Sequence, residues 1–243
     1  MTTAPVITLP TVGSTNTWMT TEGADLPHGA VVRAVAQTAG RGQRGNSWEA
    51  EPGQNLTFSM MLRPEGIDAA AQFAVSEAVA LGVADVLARH IPGEEITVKW
   101  PNDIYAGDRK ICGILIENTL AGREIVRSVA GIGVNVNQRI FRSDAPNPVS
   151  MWQLTGGETP LEPLLAEIQE SILRLMEAPL GLNDRYCATL WRRSGMHPYI
   201  DHTRGSIPMT ARILSVAPTG HITLLDDTST PRTYAIKEIT FVI

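Results

Sequence analysis

Three sets of residues in this chain have the types and spacing to handle anions. Lys99 and Lys110 flank the turn Pro101-Asn102-Asp103. Arg41 and Arg44 lie in the stretch Thr38 to Pro52 among Gly40, Gly42 and Gly45. Ser14, Thr15 and Asn16 are three consecutive hydrogen-bonding residues. Arginine presents a fixed fork of donors to carboxylate or phosphate, and lysine a compact point charge. Glycine lets the backbone approach a ligand closely. A helix starting at Ser14 to Asn16 would favour an anionic group at its N-terminus. Each set also has a plain reading. The loop arginines can be solvated, Lys110 can blunt an edge strand, Asn102 and Asp103 can simply form a turn, and Ser14 to Asn16 can simply cap a helix.

By letter, Gly40, Gly42 and Gly45 fit the dinucleotide fingerprint G-x-G-x-x-G. That motif needs a strand before it and a helix opening from it. Val31 to Gln37 can be the strand, but Trp48-Glu49-Ala50-Glu51-Pro52-Gly53 opens no helix, so a nucleotide-dehydrogenase reading is rejected. Cys112 and Cys187 match no metal or redox spacing and read as reduced core cysteines. The five histidines form no zinc-binding pattern, so no protein-bound metal is expected. The net charge of −5, with no long basic run, argues against a dedicated nucleic-acid binder. No apolar run is read as reaching the ~20 residues of a membrane span, and no signal peptide is recognised. A cytoplasmic protein is therefore expected.

The elements that position these residues follow from periodicity. Val31 to Gln37 and Asn55 to Leu62 read as strands, the second with Leu56, Phe58, Met60 and Leu62 on one face. A helix is predicted from Ala69 to about His90, capped by Asp68. Glu95 to Trp100, Lys110 to Asn118 and Glu124 to Asn135 form an antiparallel meander. Apolar Ile111 to Ile116 predicts burial on both faces. Ser150 to Leu154 starts a short helix or turn. Thr159-x-x-Glu162 reads as a capping box for the next helix, and another helix runs from Asn183 to Arg193. Short alternating strands follow from Ile207. The fold class is α+β, a mixed sheet flanked by helices, with a small barrel-like C-terminal unit.

The five motif segments occur together and in order. They are Ser14-Thr15-Asn16, Gln37 to Gly42, Lys99 to Asp103, Asp108-Arg109-Lys110 with Gly113-Ile114-Leu115, and Gly131-Ile132-Gly133-Val134-Asn135. This series resembles biotin protein ligase, strongly over roughly residues 10 to 140 and weakly beyond. The resemblance implies a class II synthetase-like catalytic domain at 1–198 and an SH3-like domain at 199–243. It implies ATP and biotin as substrates, Mg²⁺ as counter-charge, and the biotin carboxyl carrier domain of an acyl-CoA carboxylase as partner. Ser14, Thr15, Asn16, Gln37, Arg41, Gly42, Gln43, Lys110 and Gly113 would hold biotin. Arg44, Trp48, Lys99, Asn102, Asp103 and Asn135 would hold ATP or the adenylate. Lys110 and Arg41 would be the catalytic cations.

Gln43 and Asn46 stand where many bacterial members carry cations. The chain also starts close to the first motif, so a monofunctional type without DNA binding is expected. Two other classes stay open, a lipoate ligase or lipoyl transferase-like enzyme and a non-catalytic biotin or nucleotide sensor. The loop G-R-G-Q-R-G and the segment Lys99 to Asp103 favour biotin.

Overall fold

The computed structural model describes residues 4–43, 47–142 and 146–243. Strands β1 (Val6–Val12), β2 (Val31–Gln37), β3 (Leu56–Leu62), β4 (Ile96–Lys99), β5 (Asp103–Ala106), β6 (Arg109–Ala121) and β7 (Glu124–Val134) form one mixed sheet. Their order is β1-β2-β3-β7-β6-β5-β4, with β1 parallel to β2 and every other pair antiparallel. The predicted meander is present, with β5 as an additional rung. Strand β1 was not predicted. Pro10 interrupts its pattern, but β1 is an edge strand, where a residue without an N–H is tolerated.

The interior strand β3 is buried along its whole length, with the main core on one side and α1 packed on the other. Leu56, Phe58, Met60 and Leu62 enter the main core as predicted, and Met61 enters a smaller cluster with Met19 of α1 (Thr15–Thr21). The main core lies beneath α2 (Phe73–His90) and α4 (Leu161–Met176). Asp68 does cap this region, accepting from the Ala70 N–H at 2.8 Å, but it caps a short 3-10 turn that precedes α2. Contrary to the sequence reading, Ala69–His90 is long and apolar enough to cross a bilayer. Most of it is buried in the protein, as a core helix should be.

The predicted capping box of α4 does not form. Glu162 instead pairs with Arg33 at 2.5 Å, and Asn137 clasps the backbone of Thr159 through its Oδ1 and Nδ2. A capping box forms at α3 (Met151–Thr155), between Ser150 and Gln153. Helix α5 (Asn183–Ala188) ends earlier than predicted. The chain leaves it to pair with β4, the Val98 N–H donating to Thr189 O and the Trp191 N–H to Val98 O, each at 2.9 Å.

Strands β8 (His197–Asp201), β9 (Ile207–Val216), β10 (Ile222–Asp226), β11 (Pro231–Tyr234) and β12 (Ile239–Phe241) form a second, antiparallel sheet. Its order is β11-β10-β9-β8-β12, and no pairing among the described residues closes it. The last predicted strand is split into β11 and β12 by a turn in which the Ala235 N–H donates to Glu238 Oε2 at 2.8 Å.

Candidate functional site

Sheet register assembles the site. Paired residues on neighbouring strands project to the same face, so a register table is a map of that face. One row runs across five strands: Thr57 on β3, Gly133 on β7, Gly113 on β6, Asp103 on β5 and Lys99 on β4. The next row runs Ser59, Gly131 and Leu115. The first row, with Gly131 and Leu115 of the second, lines a cleft of about 670 Å³, walled by α1, the loop after β2, the segment around Asn147 and β12, while Ser59 is covered by Thr15 and Asn16. Strand β6 is thus buried on one face and half-open on the other, not buried on both as its composition suggested. Ile111, Cys112 and Ile114 are in the core, while Gly113, Leu115 and Glu117 are only half-buried.

The glycines are explained by close approach rather than by unusual backbone angles. A Cβ on Gly131 would lie 2.1 Å from Asn16 Oδ1, and one on Gly133 would lie 2.3 Å from Trp48 Cε2. At Gly113 the nearest atom would be Trp48 Cζ3 at 2.9 Å. Side chains from α1 and from the glycine-rich loop therefore lie directly on the sheet.

Over the Gly131 row the polar groups are mutually engaged. Asn16 Nδ2 donates to Leu115 O at 3.2 Å and to Glu117 Oε2 at 2.9 Å, and Asn16 Oδ1 lies 2.6 Å from Ser59 Oγ, which donates. Ser59 Oγ is also 2.8 Å from Thr15 Oγ1, and the Thr15 N–H donates to Gln37 Oε1 at 2.7 Å. Ser14 occupies the N-cap of α1 without a side-chain capping bond, although it is buried against the cleft. Arg41 donates from Nη2 to Glu117 Oε1 at 2.7 Å, and a strand-like bridge pairs Arg41 with Ser47.

Over the Gly133 row the surroundings are aromatic and cationic. Lys110 Nζ pairs with Asp103 Oδ1 at 2.8 Å and sits 5.9 Å from the Trp48 ring centroid. Lys99 Nζ lies 5.5 Å from the ring centroids of both Tyr105 and Phe241. Asn102 donates its side-chain amide to Ile114 O, tying the turn to β6. Asn135 donates to Val149 O at 3.1 Å, but its Oδ1 is buried with no partner among the described residues, and so is Trp48 Nε1. Burial, helped by Asp103, pushes the Cys112 thiol far above its usual range, so it stays protonated and is no nucleophile.

Of the predicted site residues, Ser14, Thr15, Asn16, Gln37, Arg41, Gly42, Gln43, Trp48, Lys99, Asn102, Asp103, Lys110, Gly113 and Asn135 all line this one cleft. Arg44 and Asn46 lie outside the described residues. Sequence reading missed Thr57 and Phe241, which line the cleft, and Ser59 and Glu117, which hold Asn16 and Arg41 from behind. Thr57 and Ser59 were visible as the polar positions alternating with the core residues of β3. Glu117 continues the Gly113, Leu115 alternation. Phe241 had no local signal, because it arrives from the second sheet.

The profile of the biotin/lipoate A/B protein ligase family matches residues 8–135, more than half of the chain. The chain belongs to that family. Within it, the chain is 32% identical over 213 residues to the biotin–[acetyl-CoA-carboxylase] ligase of Mycobacterium tuberculosis, covering 86% of this chain and 73% of that one. It is 33% identical over 195 residues to the bifunctional ligase/repressor BirA of Salmonella typhimurium, covering 80% of this chain and 57% of BirA. It matches 44% of the Escherichia coli BirA, so the chain spans about half the length of these two relatives. The fold is that of the Aquifex aeolicus biotin protein ligase solved with biotin and ATP. The TM-score is 0.78 at 21% identity, over 97% of both chains.

Proposed function

We propose that this family member is an ATP-dependent biotin protein ligase working at the described cleft. The observation that carries the reading is the convergence of all five motif segments on two neighbouring rows of one sheet face. Biotin's uncharged end would lie among Ser14, Thr15, Asn16, Gln37 and Ser59, with its carboxylate toward Gly113 and Lys110. ATP would lie along the Gly133 row, with its base between Trp48 and Asn135 and its phosphates near Lys99 and Lys110.

In the first step a biotin carboxylate oxygen attacks the α-phosphorus. The bond to the β-phosphate oxygen breaks, giving biotinyl-5′-adenylate and pyrophosphate. In the second step the neutral ε-amine of a carrier lysine attacks the acyl carbon, loses a proton, and displaces AMP. Neither step needs an enzyme nucleophile. The protein's contribution is positioning and charge stabilisation. Among the described residues no cluster of three His, Cys, Asp or Glu side chains could hold a metal. Asp103 and Glu117 are each paired to a cation. Magnesium would enter with the nucleotide, as MgATP, and supply counter-charge to its phosphates.

The partner is proposed to be a biotin carboxyl carrier domain, and the compartment the cytoplasm. The second sheet is proposed as a separate domain that lends β12 to the cleft wall; it begins with β8 at His197, so the boundary expected at 198/199 falls inside that strand. Biotin-dependent exchange of labelled pyrophosphate into ATP tests the reading. Exchange is expected with biotin and not with lipoate. Exchange with lipoate alone would move the protein to the lipoate branch, and tight biotin binding without exchange would make it a sensor.

A further inference from the structure

We propose that Glu117 is a positioning residue that docks the glycine-rich loop onto the biotin grip, with the Arg41 side chain serving as the loop's anchor. The inference rests on the reading of the cleft given above. Glu117 sits on β6, one strand position beyond Leu115 on the cleft face, opposite Val129 of β7. Its two oxygens receive N–H groups from two separate segments. Oε1 accepts from Arg41 Nη2 at 2.7 Å, and Oε2 accepts from Asn16 Nδ2 at 2.9 Å, with Arg41 Nη1 at 3.4 Å.

An isolated half-exposed ion pair contributes little. This pair differs because the carboxylate is fixed from its other side by Asn16, and Asn16 is itself held by Ser59 and Leu115. A charged residue on a rigid strand thus joins loop, helix start and sheet into one hydrogen-bonded chain, from Gln37 through Thr15, Ser59, Asn16 and Glu117 to Arg41. It follows that the Arg41 guanidinium is committed to Glu117. The loop's part in holding the biotin carboxylate then falls to the backbone around Arg41 and Gly42, which the anchor sets in place.

Charge reversal tests this. In the pyrophosphate exchange assay Glu117→Arg should raise KM for biotin about tenfold, leave KM for ATP within about twofold, and leave the melting temperature nearly unchanged. Arg41→Glu should do the same, and the double variant should recover most of the loss. A merely structural role would move both KM values together and lower the melting temperature. Unchanged biotin KM in Glu117→Arg, or a double variant no better than the worse single, overturns the proposal. A second readout is independent of catalysis. Trypsin should cleave after Arg41 several-fold faster in Glu117→Ala than in the unaltered protein, and equal rates would overturn loop docking. If the unaltered protein shows no biotin-dependent exchange, the functional reading fails while this arm still decides whether Glu117 holds the loop.

Discussion

The two cleft-facing rows of the sheet are built alike and finished differently. Each contains glycine where another segment lies on the strands, Asn16 over Gly131 and Trp48 over Gly113 and Gly133. Over Gly131 the covering side chain has its polar groups engaged by Ser59, Leu115 and Glu117. Over Gly133 the covering indole keeps a buried N–H with no partner among the described residues, and the nearby Asn135 keeps a buried carbonyl oxygen in the same state. Buried polar groups in folded proteins are normally paired. The first row is therefore complete as it stands, a preorganised wall. The second holds unspent hydrogen-bonding capacity that a bound base would use. That division matches the proposed assignment of biotin to the first row and nucleotide to the second.

The largest effect is expected where the rows meet the reacting atoms. Lys110→Ala should lower the first-step rate by a factor on the order of 100 or more, as for loss of a group that stabilises developing charge. Asp103, its partner at 2.8 Å, would then be left unpaired beside the cleft. Single-turnover formation of the adenylate reads this directly, and an unchanged rate would remove Lys110 from the chemistry. Next come paired substitutions that separate the rows. Gly131→Ala drives a Cβ into Asn16, and Gly133→Ala drives one into Trp48. The first should raise KM for biotin about tenfold with little change for ATP, and the second should do the reverse, each amounting to roughly 1.4 kcal/mol of binding. If both variants moved the same KM, the division into two rows would be wrong.

Much of this arrangement was legible in the sequence, and the reasons for the rest are physical. The alternation of Leu56, Phe58, Met60 and Leu62 identified β3 and its core face, because a buried strand displays its period directly. The same alternation implied that Thr57 and Ser59 faced elsewhere, but what they faced depends on α1, 40 residues away. Lys99, Lys110 and the strand glycines stood out as residue types that are costly in strands without a reason. Their meeting at one cleft required the register, which local patterns do not encode. The capping box at Thr159 was misread because two long-range partners, Arg33 and Asn137, outbid a local motif. The role of Phe241 beside Lys99 had no precursor in either segment, since a contact between two sheets leaves no periodicity behind.

The smallest expected effect concerns stability, and it tests the comparison at its root. Asn16→Ala should destabilise the free protein by about 2 kcal/mol, because it removes the hydrogen bonds that join Ser59, Leu115 O and Glu117 through this one side chain. Trp48→Phe removes a donor that has no partner among the described residues, so the usual penalty for breaking a hydrogen bond is not expected. A smaller ring gives up some contact with Gly113 and Gly133, and relief of the unpaired N–H offsets that loss. The net change should stay within about 1 kcal/mol. Urea unfolding of the two variants in parallel measures both. Equal destabilisation would mean that the indole N–H is paired in solution, and the second row would then be as complete without ligand as the first.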